Sequence, residues 1–244
     1  MGTMILLFTD FGVEGPYVGQ IKAVLAKRLP GQPVVDLMHD APRFRPIEAG
    51  QLLAHLLEDV PVGSSLVCVV DPGVGGARRP LLMEADGRFF SGPDNGLLVE
   101  VARAARSLRC QEILWRPKRL SSSFHGRDIF APALASQIAG KPIKQRQIAS
   151  DSLVGWDDPA DPARIIYIDG FGNLMTGLDD AMMEGVRVLK VGRRKISRAR
   201  TFDEVQEGAI FWYFNSLGLV EIAVNQGSAA ELLGMQVGSG VTLS

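Results

Sequence analysis

Two cysteines, three histidines and a nearly balanced charge in 244 residues rule out several broad classes of function. Cys68 sits inside the apolar run SLVCVV, where a thiol packs as a small hydrophobe. No disulfide framework is readable, which points to a reducing compartment. A formal net charge of -1 and a pI near 6.3 give no global basic field for a polyanion. The one basic cluster, KVGRRKISRAR from Lys190 to Arg200, alternates with apolar residues as a solvated strand face does, so no nucleic-acid partner is expected. Long apolar runs are missing too. MGTMILLFTDFG breaks at Asp10, far short of a spanning helix, and lacks the charged start of a signal peptide. The expectation is a cytoplasmic protein with no membrane partner. Internal repeats and low-complexity segments are also lacking.

What the chain does have is hydrophobic mass, 46% of its residues, enough for one large domain or two modest ones. The runs MILLF, PVVDLM and SSLVCVV predict strands too continuous to have one wet face, as in a parallel sheet covered on both sides. Between them lie helix-period stretches. GPYVGQIKAVLAKRL places Val18, Ile21, Val24 and Leu25 on one face, and IEAGQLLAHLLEDV does the same with Leu52, Leu53, Leu56 and Leu57. DNGLLVEVARAARSL and RDIFAPALASQIAG extend the helical pattern to about residue 140. This alternation predicts an N-terminal α/β domain, residues 1–150, with a mostly parallel sheet. DSLVGWDDPADPAR then crowds Asp, Pro and Gly without periodicity, which predicts a linker over residues 151–163. The short runs RIIYID, GVRVLKVG, GAIFWYFNS and LVEIAVN follow, and predict a smaller all-β, barrel-like domain over residues 164–244.

Ligands of open α/β sheets bind beyond the carboxyl ends of the strands. Asp10 ends the first strand in LFTDFG, Asp71 ends the third in VVDPGVGGARR, and His125 precedes a helix in SSSFHGRD. A strand-end Asp is often only a helix cap or turn former, so the joint placement is what counts. GVGG is followed by Ala77 and Arg78 and lacks the lysine and hydroxyl of a phosphate-binding loop. Asp71, Arg78 and His125 contain no nucleophilic side chain, and one Asp with one His is thin for zinc, although His39 in DLMHDAP could add a third ligand. A carboxylate, a guanidinium and an imidazole suit the holding of a water molecule: Asp and His accept its proton while Arg stabilises hydroxide-like charge. In the C-terminal half, IDGFGN sets Asp169, Phe171 and Asn173 around a glycine turn, and FNSLGLVEIAVNQGSA supplies Asn215, Ser216 and Glu221. Such amide, hydroxyl, carboxylate and aromatic groups can read a purine edge and an amino-acid head group.

In this order, LFTDFG, DLMHDAPRF, VVDPGVGGARR, GPDNGLL, SSSFHGRDIFAP, IDGFGN and FNSLGLVEIAVNQGSA resemble the S-adenosylmethionine hydrolases, also called hydroxide adenosyltransferases, relatives of the enzymes that make 5′-fluoro- and 5′-chloro-adenosine. The resemblance runs from Asp10 to about Ser228. It implies hydrolysis of S-adenosyl-L-methionine to adenosine and L-methionine, without a cofactor. It also implies a homotrimer with sites between the N-terminal domain of one subunit and the C-terminal domain of the next. The family's water-holding triad falls on Asp71, Arg78 and His125, and its ribose-gripping carboxylate on Asp10. Asn173 matches the amide that reads adenine, Phe44 and Phe202 match aromatic positions flanking it, and Asp169 and Ser216 match positions holding the methionine head group. Halogenating relatives carry Tyr at the position of Asp71, and the fluorinating ones an extra loop and an Arg where this chain has Leu217. Arg43 and Arg45 in APRFRP also depart from the family pattern. The alternatives are a 5′-halogenase, a module that binds S-adenosylmethionine or adenosine without turnover, and a metal-dependent hydrolase using His39, Asp71 and His125.

Overall fold

Two of the continuous apolar runs become fully buried central strands, β1 (Ile5–Thr9) and, after β2 (Val34–Met38), β3 (Ser65–Val69). The computed structural model describes residues 4–141 and 143–243. It divides the chain into two units, Met1–Pro159 and Ala160–Ser244. The boundary lies within the Asp- and Pro-rich stretch, whose first part is packed against unit 1: Leu153 is buried in its core, and Arg103 donates to the carbonyl oxygen of Trp156 at 2.5 Å.

The first unit is completed by β4 (Pro80–Ala85), β5 (Arg88–Pro93), β6 (Leu108–Ile113) and β7 (Gln145–Ile148), in the sheet order β2-β1-β3-β5-β4-β6-β7. β2, β1, β3 and β5 pair in parallel, while β4 runs antiparallel to both of its neighbours and β7 antiparallel to β6. Five strands therefore point one way and two the other. Four helices cover the sheet: α1 (Tyr17–Arg28), α2 (Pro46–Leu56), α3 (Val99–Ala104) and α4 (Ala131–Ile138). Successive strand side chains point to opposite faces, so Leu6 and Phe8 join the core under α2 and α3, whereas Ile5 and Leu7 join the one under α1 and α4. Burying each such large side chain stabilises by about 1.5–3 kcal/mol.

The sequence expectations differ from the structure in two places, β2 and the stretch before residue 110. PVVDLM forms β2, an edge strand with Val35 and Asp36 exposed, so its apolar run does not mark two covered faces. The helical stretch before residue 110 is only α3, because Leu108–Ile113 pairs with β4 as a strand. β4 and β5 form a hairpin whose two-residue turn, Asp86-Gly87, has positive φ at both positions (46° and 75°), the backbone that Asp-Gly favours.

The second unit contains β8 (Ile165–Ile168), β9 (Leu174–Asp179), β10 (Val188–Val191), β11 (Arg194–Ser197), β12 (Ile210–Phe214), β13 (Leu219–Val224), the short helix α5 (Ala229–Leu233) and β14 (Thr242–Leu243). They form two antiparallel sheets, β12-β13-β9-β8 and β11-β10-β14. Isolated bridges at Arg164–Gly240 and Arg198–Trp212 tie the sheets edge to edge in a barrel-like arrangement around Trp212, Ile222, Leu174 and Leu189.

Candidate active site

β1 and β3 are parallel neighbours, and their carboxyl ends place Asp10 and Asp71 on the same side of the sheet, with the Asp10 N–H donating to Val69 O at 3.2 Å. Beyond Asp71 the chain turns through DPGVGG and returns into β4. Gly75 sits at φ +80°, and a Cβ there would lie 2.4 Å from the Ser122 carbonyl oxygen. This position must be glycine for the loop to seat against the segment that carries His125. His125 itself precedes a π-helical turn, Gly126–Phe130, that leads directly into α4. Such widened turns re-aim side chains at helix starts.

Arg78 joins the two loops. Its Nε donates to both Asp71 oxygens at 3.0 Å, its Nη2 makes a further short contact with Asp71 Oδ2, and the same Nη2 lies 2.9 Å from His125 Nδ1. The guanidinium also covers the Phe130 ring at 5.2 Å. The side chains of Asp71 and Arg78 are 4% and 9% exposed, and His125 is buried, so the ion pair is shielded from water. Burial, reinforced by the Arg78 charge, pushes the His125 pKa below its usual value and holds the imidazole neutral near pH 7.

A cavity of about 90 Å³ opens beside this cluster, lined by Asp10, Asp71, His125, Phe44, Phe11 and Phe124 among others. Burial raises the Asp10 pKa, opposed by N–H groups of Asp10 and Phe44 and by the charge of Arg43. Phe44 holds a left-handed backbone (φ 61°), and the residue is 73% exposed. That conformation is unusual for a bulky residue, and here it sets the Phe44 N–H toward Asp10. Phe11 and Tyr17 each meet Phe124 edge to face, and each other at a tilt, at 5.3–5.8 Å between centroids, and form an apolar wall. The second arginine of the pair, Arg79, turns instead to buried Asp94 (Nε to Oδ2 2.7 Å), which also accepts from Val154 N, so it fastens the end of the sheet. His39 lies apart from Asp71 and His125: its Nδ1 is 2.8 Å from the Thr9 hydroxyl, and its Nε2 is 2.9 Å from Asp36. Among the described residues no three His, Cys, Asp or Glu side chains are grouped as metal ligands.

The second unit has its own pocket, about 540 Å³, lined by Asp169, Phe171, Asn173, Phe202, Tyr213 and Glu221 with Val224, Gln226 and Gly227. Asp169 closes the β8–β9 turn: Oδ1 accepts from the N–H groups of Phe171 and Asn173, and Oδ2 from the Asn173 side-chain amide, all at 2.9 Å. Tyr213 and Glu221 are directly opposed on β12 and β13. Glu221 is buried and accepts from the Tyr213 hydroxyl (2.5 Å) and the Asn215 amide (2.9 Å). Burial, and then Glu221, push the Tyr213 pKa well up. Phe202 meets Phe211 and Tyr213 at 5.0 and 5.5 Å. Ser216 is exposed at the tip of the β12–β13 hairpin, outside the pocket lining.

Asp10, Phe44, Asp71, Arg78 and His125 thus converge at one end of the first unit, and Asp169, Asn173, Phe202 and Glu221 in the second. Phe11, Phe124 and Tyr213 are the aromatic lining residues that sequence reasoning does not single out. The first two are chain neighbours of Asp10 and His125, and Tyr213 lies two residues from Phe211 on one strand face.

Fold and sites together define a two-unit enzyme, an α/β unit with a buried carboxylate–guanidinium–imidazole cluster joined to a β unit with an aromatic, acid-lined pocket. The chain belongs to the SAM hydroxide adenosyltransferase family, whose N-terminal domain matches residues 5–147 and whose C-terminal domain matches residues 163–242. It is 40% identical to the (R)-S-adenosyl-L-methionine hydrolase of Thermus thermophilus over 98% of both chains, and 34% identical to that of Salinispora arenicola over 94% of this chain and 93% of the relative. The fluorinase of Nocardia brasiliensis is more distant, at 23% identity over 98% of this chain and 95% of the relative. Among solved structures, an uncharacterized protein from Thermotoga maritima superimposes with a TM-score of 0.87 at 30% identity, covering 98% of this chain and 99% of that one.

Proposed function

We propose that this protein hydrolyses S-adenosyl-L-methionine to adenosine and L-methionine by in-line attack of water on ribose C5′. The observation that carries the reading is Arg78 holding Asp71 and His125 together beside a small strand-end cavity. The oxygen of water bonds to C5′ as the C5′–sulfur bond breaks, the sulfur keeps the bonding pair, and one proton is released. Methionine leaves as a neutral thioether and needs no protonation. What limits the step is presenting a positioned, poorly hydrated oxygen in line with the breaking bond. Hydrolysis is favoured over halogenation by the relatives: hydrolases match at 29–40% identity and fluorinases at 23%.

In this assignment Asp71, Arg78 and His125 hold the water, Asp10 grips the ribose hydroxyls, and Phe44 and Phe202 flank the adenine that Asn173 reads. Asp169 and Ser216 hold the methionine head group, and Glu221 supplies a further acceptor. The cavity beside the triad, at about 90 Å³, is smaller than the roughly 300–1,000 Å³ of a small-molecule site. That shortfall is what a site completed by the C-terminal unit of a neighbouring subunit in a homotrimer would leave. The proposal further places the protein in the cytoplasm and gives it no cofactor.

The test is incubation with S-adenosylmethionine in oxygen-18 water, with and without chloride, followed by mass detection. The expected products are adenosine labelled at the 5′ oxygen and unlabelled methionine at either chloride level. Chloride-dependent 5′-chloroadenosine, or substrate bound but never consumed, would overturn the reading. Activity that survives dilution to monomers would overturn the shared site.

A further inference from the structure

The hydrogen-bond inventory of the triad divides its labour more finely than water-holding alone requires. Arg78 carries only N–H donors and no acceptor, and it stays charged at any working pH. One Nη2 hydrogen faces Asp71, and the same nitrogen stands 2.9 Å from His125 Nδ1. Two N–H groups cannot share that contact, so Nδ1 is the acceptor and carries no proton. The ring proton of the neutral imidazole is then on Nε2. With Nδ1 engaged and Nε2 protonated, the imidazole has no lone pair with which to accept a proton. Asp71 is different. Its two oxygens have about four acceptor positions and, among the described residues, take their N–H contacts from a single guanidinium.

Resting on the hydrolytic reading above, we infer that His125 serves the reaction as a hydrogen-bond donor through Nε2–H, and that Asp71 takes the proton of the attacking water. The electron balance is simple. The water O–H bond breaks toward an Asp71 oxygen, the O–C5′ bond forms, and the C5′–S pair stays on sulfur. The carboxylic acid then loses its proton to solvent. Arg78 and the His125 N–H stabilise the charge that builds on oxygen, the role of preorganised donors at a developing oxyanion. Arg78 is also the positioning group that fixes the tautomer, since protonating Nδ1 would turn an N–H against the guanidinium. The low His125 pKa, from burial and then Arg78, is consistent with this arrangement. The charged groups that face the ring are Asp71, Arg78, Arg116 and Asp128, and Asp10 faces Asp71.

Two measurements decide the matter. Nitrogen-15 NMR of the three histidine rings in the ligand-free protein, assigned by substitution, reads the tautomer directly. The expected result is a His125 ring protonated only at Nε2 and mostly neutral at pH 6.5; a proton on Nδ1 overturns the inference. The second compares His125→Gln with His125→Ala. Glutamine keeps an N–H donor near the Nε2 position but cannot take a proton. His125→Gln should retain kcat within about tenfold of the parent, whereas His125→Ala loses about 10²–10³-fold, the usual cost of one oxyanion donor. A Gln variant as slow as the Ala variant makes the imidazole the base and overturns the assignment. A parent protein that never consumes S-adenosylmethionine would instead defeat the hydrolytic reading, while the NMR still settles the tautomer.

Discussion

The two pockets use polar groups in opposite ways. In the first unit one arginine ties a carboxylate and an imidazole into a shielded cluster beside a cavity of about 90 Å³, a volume suited to a few water-sized groups. In the second, Asp169 and Glu221 have no cationic partner in the lining, their hydrogen bonds come from neutral amides, backbone and a phenol, and the space is about 540 Å³ with aromatic walls. A tight cluster with internal charge compensation fixes the direction of a small reactant. A roomy, aromatic, negatively biased pocket fits a planar group or a cation and holds it by area and charge. The proposed function therefore assigns chemistry to the first unit and recognition to the second.

The sharpest way to break this division is to remove the acceptor from the first site alone. Asp71→Asn should lower kcat by about 10³-fold or more and leave ligand affinity within a few fold, as expected for a group whose interaction strengthens only in the transition state. Equal losses in turnover and affinity, measured by steady-state kinetics and calorimetry, would merge the two roles.

Next in size is Gly75→Ala. The substitution strains a left-handed backbone and drives a Cβ into the Ser122 carbonyl. It should cost about 1–3 kcal/mol of stability and shift Arg78 away from His125. Thermal unfolding and kcat should fall together, whereas Gly170→Ala, with open space around its Cβ, should leave the first site unaffected.

The second pocket responds differently. Glu221→Gln keeps the shape but removes the charge, so ligand affinity should weaken about 5–50-fold with little change in kcat. Tyr213 reports the same change independently. Its phenol is held up by burial and then by Glu221, so ultraviolet titration should find it ionising at lower pH in the variant. A Tyr213 titration that does not move would show that Glu221 contributes no charge to the pocket.

How far these two regions were legible in the sequence follows from the same contrast. Asp10 and Asp71 can be picked out because a carboxylate that ends an apolar run marks the end of a strand, and Arg78 and His125 because charged and imidazole side chains are few in the loops beside them. β1 and β3 show this: Ile5–Thr9 and Ser65–Val69 are buried throughout. Edge position is not written in an apolar run, so β2 reads as covered although Val35 and Asp36 face solvent. The β4–β5 hairpin carries a readable Asp-Gly turn, yet its strands hide among helix-forming residues such as Leu, Met, Glu and Ala. The second pocket is harder still. Tyr213 becomes part of it only through its register opposite Glu221, a long-range pairing that local pattern does not specify. The Arg78–His125 bond, 47 residues apart in sequence, is likewise a product of Gly75 seating one loop on another.

The smallest effect concerns acid stability, where the first site contributes terms of both signs. His125 has a folded pKa below the unfolded value of about 6.5, so below that pH the unfolded chain binds a proton that the folded chain resists. The stability it contributes is complete above about pH 6.5 and is lost as pH falls through the folded pKa. Asp10 works the other way: its folded pKa is raised by burial, so it adds stability only at low pH and loses it as pH rises from its unfolded value through its folded pKa. Melting curves between pH 8 and pH 5.5 cross the histidine window, and comparison with His125→Gln cancels the Asp10 contribution, which both proteins share. Over that range the Tm of the parent should fall more than that of His125→Gln, by about 1–2 °C. Parallel Tm curves would show that the imidazole is as easily protonated folded as unfolded.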